Sequence, residues 1–389
     1  MNRTADFVVI GGGIFGASTA HFLSKTGFGQ GVLLEQRTLA AVSTGHSAAH
    51  VRTYYSNPVT VQLAGRAVEM FENGAEELGG DCTFRQIGFL MLLDSDAQGP
   101  AEHVIELQRR CGIDVQQVSR EEIHDLAPPL DMCGVTNAIY EPKSGYADPG
   151  KTTQNLVQAA QPWGLEVREG TAACGISKQG DRVVGVETQD GLIETPVVVN
   201  AAGPWGRQVG GWVGRNDSLR WSRETDLRVR LPHDFPPIPV ISDTTLRNYF
   251  RTDGEGNLLA GLGAPKEIEP LDIGQYDAKL DDASRRRIEA GLFQRLPMLR
   301  QAPLVDGWAS IYTITDDWHP LVGPEPGLEG YYSCYGGSGH CFKLGPPIGE
   351  ALAAIIAGRA PEIDITPLRP TRFVEGAPLT SAWGDGNRA

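Results

Sequence analysis

Gly11, Gly13 and Gly16 have the spacing of a loop that binds the phosphates of a dinucleotide. They follow an apolar run at positions 7–10 and precede Ala17, so a buried strand, a tight turn and a helix are expected in succession. Gly11 permits the turn, Gly13 lets backbone N–H groups approach a pyrophosphate, and Gly16 lets the helix pack closely on the strand. The first turn of that helix would supply positive potential to the phosphates.

A second apolar run, at positions 32–34, ends in Glu35, where the ribose of a dinucleotide needs a hydrogen-bond acceptor. A carboxylate here would repel a 2′-phosphate, which favours FAD or NAD over NADP. Residues 37–56 are dense in small and hydroxyl-bearing side chains, which let a planar ligand come close and offer it hydrogen bonds. The same composition is also typical of a solvated loop.

Two later strand ends have the same small-residue character. The run 197–200 leads into residues 201–205, and the run 330–334 leads into residues 335–347. Small residues at the end of a buried strand suit the far side of the same cofactor. The closing helix is predicted over 348–356, with Pro346 and Pro347 at its start, where proline is tolerated.

The elements that position these stretches follow from hydrophobic periodicity and from turn signals. Ser119 and Glu122 form a capping box at the start of a short helix, and Asp253-Gly254 indicates a hairpin inside the β-rich region 219–262. Helices are predicted over 59–79, 101–111, 152–163 and 284–295, and strands over 84–93, 165–169, 182–188 and 309–315.

Composition excludes several classes of partner. With 389 residues, 41% of them hydrophobic and 21% charged, the chain is long enough for two soluble domains. A net charge of −14 argues against nucleic-acid and anionic-membrane partners, which need a basic surface. Neither a secretory signal nor an apolar run of membrane-spanning length is found, so a cytoplasmic protein without a membrane partner is expected, as a monomer or a homodimer. The six cysteines lack metal-binding spacing, so no metal site is predicted.

Together these motifs resemble the D-amino-acid oxidase-like family of FAD enzymes, in particular the branch that contains glycine oxidase, sarcosine oxidase and dimethylglycine dehydrogenase. The resemblance covers most of the chain and rests on four motifs in the same order. They are residues 9–16 (VIGGGIFG), 43–52 (STGHSAAHVR), 199–205 (VNAAGPW) and 336–343 (GGSGHCFK).

This resemblance implies an α/β fold, in which a Rossmann-like FAD-binding domain is interrupted by a substrate domain with a mixed or antiparallel β-sheet. The FAD-binding domain is expected to comprise residues 1–83, 147–215 and 316–370, and the substrate domain residues 84–146 and 216–315. Residues 371–389, rich in proline and then in glycine and polar residues, are predicted to form a tail that begins as a strap and ends in disorder.

The resemblance also implies roles for individual residues. Arg52 and Lys343 are similar to the two cations that hold the substrate carboxylate in sarcosine oxidases, and the helix start at 345–347 would face the flavin. Three aromatic residues are expected to line the substrate pocket, namely Tyr54, Tyr249 and Tyr312. The FAD contacts are expected from Gly11, Gly13, Ile14, Phe15, Gly16, Glu35, Gln36, Arg37, Ser43, Thr44, Gly45, His46, Ser47, Ala202, Gly203, Trp205, Gly337, Gly339, His340, Cys341, Phe342 and Lys343.

The sequence departs from sarcosine oxidases in two places. Ser310 stands where the monomeric enzymes attach flavin through cysteine, and residues 249–263 contain no lysine of the kind thought to activate oxygen. His46 falls where dimethylglycine-oxidising relatives join a histidine to the flavin 8α carbon, so it is predicted to act at the cofactor, either through that link or through an ordinary hydrogen bond. His319 is either a base or, in the preferred interpretation, a residue that orders a turn.

The predicted function is FAD-dependent oxidation of the carbon–nitrogen bond of a glycine-type or N-substituted amino acid. The resulting imine would be hydrolysed to a 2-oxo acid such as glyoxylate and an amine, with electrons passed to oxygen or to another acceptor. Two alternatives remain open at this point. One is a dehydrogenase of 2-hydroxy acids or of glycerol phosphate, and the other is a non-catalytic flavin-binding subunit of an amine-oxidising complex.

Overall fold

The structure is a computed structural model that describes residues 4–263 and 268–381. The predicted disordered end of the tail, from residue 382 onward, lies outside the described residues. In chain order the strands are β1 (Phe7–Ile10), β2 (Gly31–Leu34), β3 (His50–Val51), β4 (Phe89–Leu93), β5 (Gln116–Val118), β6 (Asn137–Glu141), β7 (Gly145–Tyr146), β8 (Leu165–Arg168), β9 (Ala173–Gln179), β10 (Arg182–Thr188), β11 (Gly191–Glu194), β12 (Val198–Asn200), β13 (Arg220–Arg230), β14 (Val240–Asp243), β15 (Asn248–Thr252), β16 (Asn257–Leu262), β17 (Leu304–Ile314), β18 (Leu321–Pro324) and β19 (Tyr331–Tyr335). The α-helices are α1 (Ile14–Lys25), α2 (Pro58–Glu72), α3 (Gly74–Glu77), α4 (Gln98–Arg110), α5 (Arg120–Leu126), α6 (Pro149–Ala160), α7 (Gly206–Gly211), α8 (Asp282–Arg295) and α9 (Cys341–Ile356).

A six-stranded sheet holds the predicted dinucleotide loop. Its strand order is β18-β19-β12-β1-β2-β8, and all neighbours are parallel except β18 and β19. Helices α1, α6 and α9 pack on one face, and the three-stranded sheet β9–β11 covers the other, so β1 is buried along its whole length. This double coverage explains why β1 reads as a continuous apolar run.

A second, eight-stranded sheet stands against the first. Its order is β17-β13-β16-β15-β14-β4-β6-β5, with β14 and β4 parallel and the other neighbours antiparallel. Alternate residues face opposite ways along a strand. Phe250 therefore packs with Leu292 of α8 in an apolar core, whereas Tyr249 and Arg251 project from the other face. A two-stranded ladder of β3 and β7 lies beside this second face, where Tyr146 contacts Arg251.

The predicted fold class is confirmed by this architecture and by the structural matches given below. The strands of the six-stranded sheet come from the three segments assigned to the FAD-binding domain, and those of the eight-stranded sheet come from the two assigned to the substrate domain. The exact domain boundaries stay a prediction. Within the described ranges, no helix has the length and apolar character needed to cross a membrane.

Three element predictions were wrong at their N-terminal ends, and one of them is the strand predicted over 309–315, which begins at Leu304. The strand predicted over 84–93 begins only at Phe89, because Gly88 has a positive φ of 80° that interrupts the extended run. The closing helix predicted over 348–356 begins at Cys341, so Pro346 and Pro347 lie inside it. Ser338 and Gly339, with φ of 48° and 83°, turn the chain directly before the helix and thereby set its true start. The positive end of α9 consequently lies at Cys341 and not at 345–347.

Candidate active site

The first of two adjoining cavities lies at the carboxyl ends of β1, β2 and β12. It encloses about 830 Å³ that is open to solvent. A crevice at this edge of a parallel sheet is where nucleotides bind in such folds. Of the residues predicted to bind FAD, those that line it are Gly11, Gly13, Glu35, Gln36, Ser43, Thr44, Ala202, Gly203 and Trp205.

The glycine loop requires its glycines for steric reasons. Gly11 has a φ of 113°, and a Cβ atom there would lie 2.4 Å from the carbonyl oxygen of Ala201. A Cβ atom on Gly16 would lie 1.9 Å from the carbonyl oxygen of Gly11. The loop ends at the N-terminus of α1, where Gly13 offers no side-chain cap and the Ile14 N–H donates to Thr44 Oγ1 at 3.1 Å. A helix start beside a cavity can bind a phosphate through its other N–H groups.

Glu35 closes the cavity at the end of β2. Its Oε2 accepts a hydrogen bond from the Gly12 N–H at 2.8 Å, and its Oε1 accepts one from the Arg37 N–H at 2.7 Å. The carboxylate is thus fixed at the position where a ribose hydroxyl is bound in this kind of fold. The glycine loop and the N-terminus of α1 offer hydrogen-bond donors, and the Glu35 carboxylate offers an acceptor. These groups fit the nucleotide half of FAD.

The second cavity continues from the first toward the eight-stranded sheet and encloses about 770 Å³. Gly13, Ser43 and Thr44 line both cavities, which therefore form one elongated cleft. Its other walls come from the loop before β3, from β13 and β17, and from the start of α9. The predicted residues that line it are Gly13, Ile14, Phe15, Ser43, Thr44, His46, Ser47, Gly203, Tyr312, Gly337, Gly339, Cys341 and Phe342. The cleft has the small-residue walls that an extended dinucleotide with a flat ring requires.

Arg52 and Lys343 are absent from the linings of both cavities, although Lys343 directly follows Cys341 and Phe342, which line the second. Both cations contact one aromatic ring, since the Arg52 guanidinium is 4.5 Å and the Lys343 ammonium 5.4 Å from the centre of the Tyr55 ring. Arg52 donates to the carbonyl of Tyr54, and Lys343 Nζ donates to the carbonyl of His340 at 3.0 Å. Neither forms an ion pair with a carboxylate in the described part of the chain.

Burial holds the pKa of Lys343 well below its usual range, and the charge of Arg52 lowers it further. The position of Lys343 in the first turn of α9 adds to this effect, because the N-terminus of a helix carries positive potential. Two cations and a helix start thus converge, and among the described residues only the more distant charge of the buried Glu141 offsets them. Such an arrangement favours an anionic ligand.

His46 lies in the wall of the second cavity. Its Nδ1 is 2.8 Å from the carbonyl oxygen of Val42, which can only accept, so Nδ1 carries a proton and donates it to that carbonyl. The indole of Trp308 donates to the His46 carbonyl at 3.0 Å and fixes the backbone there. These contacts hold the ring at the cavity for either of the two predicted cofactor roles.

Several predicted residues lie away from the cavity walls. Tyr54 packs in an apolar cluster with Phe89 and Met91, so the structure does not bring it to the pocket. Arg37 lies over the ring of Trp205 at 5.7 Å. His319 is buried beside Asp317, with its Nδ1 2.7 Å from the Asp317 carbonyl oxygen, and burial lowers its pKa to about 4. This placement in a turn agrees with the preferred interpretation of His319. Gly16, Gly45 and His340 also lie outside the two linings.

Tyr249 reaches the cavity indirectly, through a carboxylate that the sequence analysis missed. Its hydroxyl donates to Asp226 Oδ1 at 2.6 Å, and Asp226 lines the second cavity. Burial, with the nearby Asp226 charge, raises the pKa of Tyr249 well above its usual range. The alternation of side chains along β13 could have indicated this role for Asp226. Leu227 and Val229 are buried on one face of the strand, and Asp226 is buried on the other.

Tyr55, His50 and Arg251 were also missed. The His50 ring packs edge-on against Tyr249 at 5.1 Å, and its buried Nε2 has no hydrogen-bond partner. Burial and the charges of Arg251, Lys343 and Arg52 hold the pKa of His50 well below its usual range, so His50 is neutral. Only the pairing of β3 with β7 and the packing of both on the large sheet bring these residues together.

Comparison with protein-family models identifies one match, described as FAD dependent oxidoreductase, over residues 6–355. Among curated proteins, mitochondrial sarcosine dehydrogenase of Mus musculus is 29% identical over 98% of this chain and 42% of its own length. Dimethylglycine dehydrogenase of Rattus norvegicus is 26% identical over 95% of this chain and 45% of its own length. The chain thus spans less than half the length of these relatives.

Solved structures match over nearly the whole chain. L-proline dehydrogenase from P. horikoshii superposes with a TM-score of 0.90 at 27% identity, covering 97% of this chain and 99% of that one. Glycine oxidase from Geobacillus kaustophilus superposes with a TM-score of 0.83 at 22% identity, covering 95% and 99% of the two chains, which shows the fold alone.

Proposed function

Because this chain belongs to the family of FAD-dependent oxidoreductases, whose model matches residues 6–355, we propose that it oxidises the carbon–nitrogen bond of a glycine-type or N-substituted amino acid. FAD is its cofactor, as for the family. The curated relatives named sarcosine dehydrogenase and dimethylglycine dehydrogenase support an N-substituted amino acid as substrate. The observation that carries the proposal is the pair of cations, Arg52 and Lys343, beside the cavity without a described carboxylate partner.

In this reaction the α-carbon of the substrate gives up a hydride and the nitrogen gives up a proton, which leaves an imine. Bound FAD would accept the hydride and pass the two electrons to oxygen or to another acceptor. Water then adds to the imine carbon and the carbon–nitrogen bond breaks. The products are an amine and a 2-oxo acid, which is glyoxylate when the oxidised arm is a carboxymethyl group.

The residues beside the cavity would bind and orient the substrate. Arg52 can hold a carboxylate through two N–H groups, and Lys343 can hold it as a point charge. Burial lowers the pKa of Lys343, and a bound carboxylate would favour its charged form. Asp226, held by the Tyr249 hydroxyl, lies on the cavity wall where it can accept the proton that leaves the substrate nitrogen.

The test is an anaerobic titration of the FAD-loaded protein with N-alkyl and N-carboxymethyl glycines, followed by the visible flavin absorbance. Bleaching by these amines, and its absence with amines that lack a carboxylate, is the expected result. Bleaching by 2-hydroxy acids alone would replace the proposal with hydroxy-acid oxidation. A flavin that stays oxidised with every substrate unless a partner protein is added would instead favour the non-catalytic subunit.

The clamp itself is tested by Arg52→Met. A carboxylate held by two charge-assisted hydrogen bonds should bind about 10- to 100-fold more weakly when the guanidinium is removed. Arg230→Met, which removes an exposed arginine at the end of β13, serves as the matched control. Unchanged substrate affinity in Arg52→Met would refute the assignment of Arg52.

A further inference from the structure

Arg251 is a buried cation outside the pair just assigned to the carboxylate. It is 6% exposed and projects from the face of β15 that also carries Tyr249. Its Nε donates to the Ala48 carbonyl at 2.8 Å, and its Nη1 donates to the Thr252 carbonyl at 3.0 Å. Three of its five N–H groups remain without a described protein acceptor.

Other buried arginines of this fold are paired. Arg295 forms an ion pair with Asp243 at 2.6 Å, and Arg372 forms one with Asp317 at 2.7 Å. Arg251 forms no ion pair with any carboxylate in residues 4–263 and 268–381, and burial lowers its pKa. The Asp253 and Asp226 charges act on Arg251 only from beyond ion-pair distance, so its remaining N–H groups are suited to an anionic ligand.

The residues around Arg251 connect it to the second cavity. Ala48, whose carbonyl it binds, lines that cavity, and so does Asp226, whose charge acts on Arg251. Tyr146 supports the guanidinium, with its ring centre 4.0 Å away. His50, which pairs with Tyr146 across β3 and β7, feels the charges of Arg251 as well as those of Arg52 and Lys343.

Three cations therefore surround one neutral histidine. Arg52 follows β3 directly, two residues after His50, and its charge acts on that histidine. The cationic cluster of Arg52, Lys343 and Arg251 is thus larger than a single carboxylate requires. One α-carboxylate occupies the Arg52 and Lys343 pair, which leaves Arg251 for a different anionic group.

We propose that Arg251 binds a second carboxylate of the substrate, so that the substrate is an N-carboxymethyl amino acid with one carboxylate on each side of its nitrogen. This inference rests on the proposed function. It makes Arg251 a specificity-determining residue that is not needed for the oxidation itself. The arm held by Arg52 and Lys343 is oxidised, and the arm held by Arg251 leaves with the amine.

The experiment compares two substrates that differ in one carboxylate, N-methylglycine and N-carboxymethylglycine. Their dissociation constants are measured from the substrate-concentration dependence of the rate of anaerobic flavin bleaching in the wild type, in Arg251→Gln and in Arg251→Lys. Wild type is expected to bind the dicarboxylate about 10- to 100-fold more tightly, the range of one charge-assisted hydrogen-bonded pair. Arg251→Gln should lose that preference with N-methylglycine changed less than about threefold, and Arg251→Lys should recover part of it.

The outcomes separate this inference from the function on which it rests. If neither substrate bleaches the wild-type flavin, the proposed function fails. If N-methylglycine bleaches it and the dicarboxylate binds no better, the function stands and the inference is overturned. Equal losses for both substrates in Arg251→Gln would also overturn it, because they would make Arg251 a support for the Ala48 backbone. Arg230→Gln, the exposed arginine of β13, controls for the change in net charge.

Discussion

Lys343→Met should weaken substrate binding and at the same time stabilise the substrate-free protein. Lys343 is 5% exposed, its ammonium makes one hydrogen bond of 3.0 Å to a carbonyl, and it lies in the positive first turn of α9. Methionine fills a similar volume without a charge. Because the ammonium is buried without an ion-pair partner in the described residues, and the Glu141 charge offsets its burial only in part, its removal is expected to raise the free energy of unfolding by about 1–3 kcal/mol. For a chain of 389 residues that is a rise in Tm of roughly 1–4 °C.

The substrate affinity should change in the opposite direction. A charge-assisted hydrogen bond to a carboxylate contributes about 1.5–3 kcal/mol, so Lys343→Met should weaken binding of N-methylglycine about 10- to 150-fold. The dissociation constant is read from the substrate-concentration dependence of the rate of flavin bleaching under anaerobic conditions, and Tm is read by calorimetry of the FAD-loaded protein without substrate. Lys178→Met, at an exposed position of β9, is the matched control and should change neither quantity.

The stability effect should also depend on pH. The folded protein holds the pKa of Lys343 well below its usual range, so between that pKa and the unfolded value of about 10.4 the unfolded chain binds more protons. The contribution of Lys343 to the free energy of unfolding of the wild type therefore rises with pH across this interval. The advantage of Lys343→Met is largest at the low end and disappears as pH approaches about 10.4. A methionine variant that is less stable than wild type, with unchanged substrate affinity, would refute the reasoning.

The remaining predictions concern the cofactor, the proton acceptor and the fold. Gly11→Ala should abolish FAD binding, measured as flavin recovered with the purified protein, since its Cβ would lie 2.4 Å from the Ala201 carbonyl oxygen; retained FAD would contradict the assigned turn. Asp226→Asn should slow anaerobic flavin reduction about 100-fold, the size of a general-base contribution, with little change in substrate affinity; an unchanged rate would remove Asp226 from proton transfer. Acid precipitation should release the flavin if His46 only hydrogen-bonds to it, whereas flavin retained on wild type and lost in His46→Ala would establish the covalent link. Arg372→Met should destabilise the protein by about 3–5 kcal/mol in denaturant unfolding, because it leaves the Asp317 carboxylate buried and unpaired.

The sequence by itself determined the parts of the site that depend on local geometry. The turn at Gly11 and the start of α1 could be predicted because the strand, the glycine motif and the helix are contiguous in the chain. The structure places the turn and the helix start together at one cavity. The acid at Glu35 could be predicted for the same reason, because parallel neighbours bring the ends of β1 and β2 to one edge. The capping box of Ser119 and Glu122 was confirmed as well.

Contacts between distant segments were decided only by the tertiary structure. Arg251, His50 and Lys343 are separated by long stretches of chain. The hydrophobic pattern within one segment predicts which of its faces is buried, but it does not predict that β3, β15 and α9 lie close together. Tyr54 illustrates the converse, since an aromatic residue near a motif can face either the pocket or the core, and here neighbouring apolar residues bury it. The start of α9 was missed because proline is common at helix starts, and Pro346 and Pro347 were placed there. The positive φ values of Ser338 and Gly339, which mark the true start, are visible only in the folded backbone. Local motifs thus specify how the cofactor is held, whereas the charges around the substrate arise from long-range packing, which a single sequence does not encode in any local pattern.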